Sequence, residues 1–131
     1  MFLVQQVLLI AVGGSLGAIA RYGLSTFVYH TTSATFPWGT LVINLTGSFA
    51  IGLVIELFDT AIIPTEWRSL ITIGFLGAYT TFSTYTLETV NLLRDGELKL
   101  AVFNVVASNL VGILFVVLGI YTSRFLLKTF S

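Results

Sequence analysis

Cysteine is absent from the chain, histidine occurs once, and charged residues make up only 9% of it. The missing thiols exclude disulfides and thiolate metal sites and say nothing about compartment. With His30 the sole imidazole, histidine metal centres and Ser-His-Asp triads have no material. Soluble domains carry about 25% charged residues. A content this low, with 56% hydrophobic residues and a mean hydropathy of +0.97, points to lipid as the solvent. The formal net charge is zero and no basic run occurs, which argues against nucleic acid as a partner. Phosphate loops and dinucleotide fingerprints are missing too, since Gly13, Gly14 and Gly17 lie inside an apolar run. Nothing here points to an enzyme.

Proline is scarce as well, and both prolines fall between apolar runs, where helices tolerate them. Four such runs are present, at about 2–29, 38–58, 67–93 and 98–127. A bilayer core is spanned by ~20 helical residues, so the chain is expected to be an all-α membrane protein. It forms a single four-helix transmembrane domain over 1–131 on this reading. Trp38, Trp67, Tyr29 and Tyr121 lie near segment ends, as an interfacial aromatic belt requires. Met1 to Gln6 carries no Lys or Arg, so the first run reads as a retained helix rather than a signal peptide. Orientation is not specified by charge. Arg68, Arg124 and Lys128 flank one side; Arg94, Lys99 and Arg21 flank the other. The positive-inside rule has nothing to act on. Either both orientations insert, allowing antiparallel pairing, or a partner or local bias fixes one.

The third run holds the least ordinary stretch, from Gly74 to Tyr85. Thr80, Thr81, Ser83, Thr84 and Thr86 crowd their hydroxyls behind Gly74 and Gly77. Such residues lose rotamer freedom in a helix or compete for its backbone bonds. A helix break near mid-membrane is therefore expected. Breaks at that depth survive only when buried in protein or lining a cavity, and ion and substrate sites are built on them.

Polar stripes flank this stretch. Thr40, Asn44 and Ser48 recur every four residues and share a helix face, as do Asn104, Ser108 and Gly112, with Asn109 beside them. Together with the break, these stripes are able to line a narrow polar track. Asn44 reads equally as interhelical glue and as pore lining. Phe82 and Tyr85, three apart, read as aromatic core packing or as ring edges facing an anion, since the edge of an aromatic ring is positive. Gly13 and Gly17 form a close-packing pair. Arg21, inside the first run, either snorkels to headgroups or supplies a fixed positive charge that draws anions into a vestibule.

These motifs, in this order, resemble one family: the Fluc (CrcB) fluoride channels of microbial membranes. The resemblance rests on Gly13-Gly14-Ser15-Leu16-Gly17-Ala18 with Arg21-Tyr22, on Trp38-Gly39-Thr40-Leu41 with Asn44 and Gly47, and on Gly74-Phe75-Leu76-Gly77 leading into Thr80-Thr81-Phe82-Ser83-Thr84. It covers essentially the whole chain. It implies an antiparallel dual-topology homodimer in the cell membrane, with two fluoride pores along the subunit interface. It also implies a structural Na⁺ at the dimer centre, held by the backbone carbonyls of Gly77 and Thr80. Phe82 would line the fluoride path with Tyr85. Asn44 would be the pore asparagine, Ser108 and Asn104 would lie on the fourth-helix track, and Thr81, Ser83 and Thr84 would supply nearby hydroxyls. Arg21 would sit near the vestibule. There are departures: Tyr85 stands where the family motif usually closes with a second phenylalanine. Asn104 stands where some members have tyrosine, and Gly112 where some have serine.

Passive export of cytoplasmic fluoride is the function this implies, with fluoride, Na⁺, the lipid bilayer and a second copy of the chain as partners. The competing reading is a small four-helix coupled exporter. That would need a titratable acid deep in the membrane, yet the deepest acids, Glu56 and Glu88, lie near helix ends. A non-transporting membrane subunit would leave the hydroxyl-rich stretch and the polar stripes without purpose.

Overall fold

The computed structural model describes residues 2–32 and 35–130. All regular structure among them is helical. Helix α1 (Phe2–Thr31) and helix α2 (Trp38–Asp59) are uninterrupted. The third segment comes in pieces. A 3-10 turn (Thr65–Trp67) leads into a π-helical run (Ser69–Leu76) and a single turn, α3 (Gly77–Tyr79). After two non-helical residues, α4 (Phe82–Arg94) completes it. The fourth segment is continuous: α5 (Leu98–Val106) passes through a π turn (Ala107–Val111) into α6 (Gly112–Phe130). Three stretches are long and apolar enough to cross a membrane, namely Leu3–Thr31, Trp38–Asp59 and Leu98–Thr129. The interrupted third segment lies among them. The connection at 33–34 falls outside the described residues.

The ends of these elements follow local chemistry. Pro64 precedes the 3-10 turn with extended backbone (φ −58°, ψ 140°). At the other end of the segment Gly96 adopts φ +78°. Its N–H donates to the Leu93 carbonyl (3.2 Å) while the Glu97 N–H reaches back to Leu92 (2.8 Å). This left-handed glycine cap satisfies the last carbonyls of α4 and reverses the chain into α5 within four residues.

Close backbone contact holds the layers together. A Cβ at Gly13 would fall on the Leu70 carbonyl, and one at Gly17 on the carbonyl of Phe75, so α1 lies directly on the π run. Helices α2 and α6 meet the same way, at Gly52 against Val116 and Gly119 against Phe49. Without a hydrophobic drive between helices in lipid, such contact is what makes association favourable. Polar ties add to it. Ser69 donates to Gln6, joining the third segment to α1, and Arg124 Nε donates to Glu56 (2.9 Å), joining α6 to α2. The buried core is small: Phe36, Leu41, Leu92, Ala101 and Ala107 form its one contiguous cluster among the described residues. Large apolar side chains such as Leu3, Ile19, Phe125 and Leu114 face outward.

Candidate functional site

Thr80 and Thr81 leave helical geometry altogether, with ψ 158° at Thr80 and φ −147°, ψ 121° at Thr81. Two extended residues expose peptide groups that a helix would have satisfied. Asn44 on α2 takes up both groups of Thr81: its Nδ2 donates to the Thr81 carbonyl (2.9 Å), and its Oδ1 accepts from the Thr81 N–H (2.8 Å). A carboxamide has the same donor and acceptor as a peptide group, which is why asparagine suits this position. Gly47, one turn on, lets α2 approach; a Cβ there would strike the Thr80 methyl and crowd the Tyr79 ring. Thr81 also caps α4, its Oγ1 accepting from the Thr84 N–H (3.3 Å) and donating to Thr84 Oγ1 (3.0 Å).

The polar face of α2 runs antiparallel to the third segment. Thr40 donates to Glu88 Oε1 (2.8 Å), Asn44 holds Thr81, and Ser48 reaches the start of the fourth-segment face near Gly112. An open cleft of about 320 Å³ lies at the break. Asn44, Gly77, Thr80, Thr81, Phe82, Tyr85 and Ser108 all line it, joined by Ser48, Thr72 and Asn109. Its lining carries hydroxyls and carboxamides and no charged side chain. Phe82 is 76% exposed, with the Tyr85 ring 5.6 Å away and tilted by 55°. Tyr85 is buried, and its hydroxyl accepts from Asn109 Nδ2 (3.1 Å). A second cleft, of about 460 Å³, lies towards the α1–α2 connection and takes in Tyr22, Thr26, Thr40, Thr84 and Glu88. One Glu88 oxygen is buried there without a partner among the described residues.

Other residues singled out from the sequence fall elsewhere. Asn104 is 2% exposed and does not line the first cleft. Its Nδ2 donates to Thr89 (2.9 Å), and its Oδ1 faces Ser108 at 3.5 Å, so it binds α5 to α4. Ser83 points outward on α4 and lines neither cleft, although its carbonyl accepts from Thr86 (2.9 Å). Thr84 belongs to the second cleft, and Arg21 lines neither. Thr72 was not picked out by sequence reasoning. Its hydroxyl is buried with no partner among the described residues, and it lines the cleft from within the π run.

Residues 8–120 match the family model of CrcB-like protein, Camphor Resistance (CrcB). A protein of Magnetococcus marinus named Fluoride-specific ion channel FluC is 45% identical over 121 residues, covering 92% of this chain and 98% of its own length. Proteins of the same name from Hydrogenovibrio crunogenus (46%, covering 94% of both chains) and Geobacter metallireducens (50%, covering 89% of this chain and 95% of its own) are similarly close. With membrane-length apolar helices and a match across most of its length, the chain is a multi-pass membrane protein that belongs to the CrcB family.

Proposed function

We propose that the chain is a fluoride-selective passive channel, exporting cytoplasmic fluoride down its electrochemical gradient. The observation that carries this reading is the uncharged cleft of hydroxyls and carboxamides lined also by the largely exposed ring of Phe82. The name borne by the relatives supports it. Fluoride is small, strongly hydrated and a strong hydrogen-bond acceptor. A dry track of fixed O–H and N–H donors repays its dehydration better than that of a larger halide. The helix start at Phe82 adds the positive end of a half-helix dipole, which favours an anion.

The working unit on this reading is an antiparallel dual-topology homodimer with two pores. The balanced flanking charges permit both orientations, and Phe82, exposed in the single chain, gains cover from a second copy. The break then lies near mid-membrane. Carbonyls at the break suit a buried Na⁺. In an unbroken helix the Thr81 N–H would reach the Gly77 carbonyl and the Thr84 N–H the carbonyl of Thr80. Asn44 and the Thr81 hydroxyl take those donors instead. Two hard oxygen donors at the negative end of α3 are thereby free of their helical partners, as half-helix cation sites require. Bound there, Na⁺ would neutralise converging carbonyl dipoles.

Fluoride efflux from liposomes holding the purified protein tests the proposal, with a potassium gradient and valinomycin setting the voltage and chloride as control. Fast, voltage-following fluoride release without chloride release is expected. No release of either ion from folded dimer would overturn it.

A further inference from the structure

Asn109 lines the cleft beside Ser108, at a point where the fourth segment passes through a π turn. In an uninterrupted α-helix, Asn104 and Ser108 share a face while Asn109 points about 100° away. The π turn at Ala107–Val111 bonds at i→i+5 and so turns less per residue than an α-helix, and both asparagines reach α4. The two asparagines then meet two residues four apart on α4: Asn104 donates to Thr89, and Asn109 donates to Tyr85.

We propose that Asn109 is a positioning residue for the anion path, holding the Tyr85 hydroxyl so that its proton is presented to fluoride. The proposal rests on the channel reading above. A phenol hydroxyl both accepts and donates, and left to itself it rotates to suit its neighbours. Asn109 removes that freedom. Its Nδ2 lies 2.7 Å from the Val105 carbonyl and 3.1 Å from Tyr85 Oη. A carbonyl only accepts, so the atom facing Val105 is the amide nitrogen, not the amide oxygen. One hydrogen of that NH₂ goes to Val105 and the other is left for Tyr85 Oη. The phenol oxygen therefore accepts from Asn109, and its own O–H must donate elsewhere. Both side chains line the cleft. Accepting one hydrogen bond polarises the O–H and strengthens the bond it gives. A donor fixed in this way favours fluoride over chloride, because fluoride is the stronger acceptor.

Asn109→Leu, Tyr85→Phe and the double variant test this by fluoride and chloride efflux from liposomes. Loss of the Tyr85 hydrogen bond to the ion predicts about a tenfold fall in fluoride efflux for Tyr85→Phe. Asn109→Leu, which frees the hydroxyl to rotate, should lower efflux by up to about the same factor. Adding Asn109→Leu to Tyr85→Phe should then cost nothing more. A second, equal fall in the Tyr85→Phe background would mean that Asn109 acts through packing, and would overturn the proposal; so would unchanged flux in Asn109→Leu. Should Asn109→Leu not fold, the infrared C–O stretch of Tyr85 decides, isolated by difference against Tyr85→Phe. It should shift when fluoride replaces chloride in the wild-type protein, and a band indifferent to the anion overturns the proposal. Absence of fluoride flux in the wild type is a separate outcome, which overturns the channel reading itself.

Discussion

Asn44 bears on two questions at once, since it lines the cleft and also satisfies both peptide groups of Thr81. Its substitutions should therefore separate by chemistry. Asn44→Ala leaves two polar groups bare, at about 1–3 kcal/mol each, and should lower the unfolding temperature in detergent. Asn44→Asp keeps the acceptor for the Thr81 N–H but turns a carboxylate oxygen on the Thr81 carbonyl and puts negative charge in an anion path. Fluoride efflux should be blocked in that variant, and normal efflux would remove Asn44 from the path. Phe82 is a cleaner case. Its ring is largely exposed in the single chain, so Phe82→Ile disturbs little packing within the chain. On the proposed reading it should abolish fluoride efflux while the apolar bulk of Ile keeps the proposed dimer intact on size exclusion. Flux equal to wild type would assign the ring to packing alone.

At the scale of elements, helix contact through glycine makes a sharp comparison possible. Gly17→Ala drives a methyl into the Phe75 carbonyl, whereas a Cβ at Gly23, on the same helix, meets nothing within 4 Å. The first should destabilise by about 1–3 kcal/mol through overpacking. The second should be neutral or stabilising by up to about 1 kcal/mol from helix propensity. Thermal unfolding of the two variants in one detergent compares them directly. Much at this scale was legible beforehand. Apolar run length set out four segments, and the crowded hydroxyls after Gly77 include Thr80 and Thr81, whose backbone is extended. The partner of each polar residue was not legible. Spacing by four put Asn104 and Ser108 on one face, but whether that face meets the cleft or α4 depends on how the helices are rotated against each other. The π turns escaped notice for a related reason: an i→i+5 register follows from tertiary packing and leaves no periodicity in so short a stretch. Thr72 and Asn109, which line the cleft, both lie in those turns.

For the whole molecule, the balance of Arg and Lys between the two sides permits insertion both ways, and the proposed dual topology requires it. The native chain has no cysteine, so a single Glu97→Cys substitution gives a unique, exposed label site between the last two segments. A membrane-impermeant maleimide added to intact cells should label about half of it, given equal insertion; labelling of all or none would exclude dual topology. The uncharged cleft carries a further consequence. Its polarity comes from peptide dipoles, hydroxyls and carboxamides, with no carboxylate, imidazole or ammonium in the lining. No side chain in that lining gains a positive charge or loses a negative one in acid, so acidification leaves the charge of the lining unchanged. On the proposed reading, such a site would keep its character when the surroundings turn sour, the condition in which weak acids cross membranes uncharged and release their anions inside.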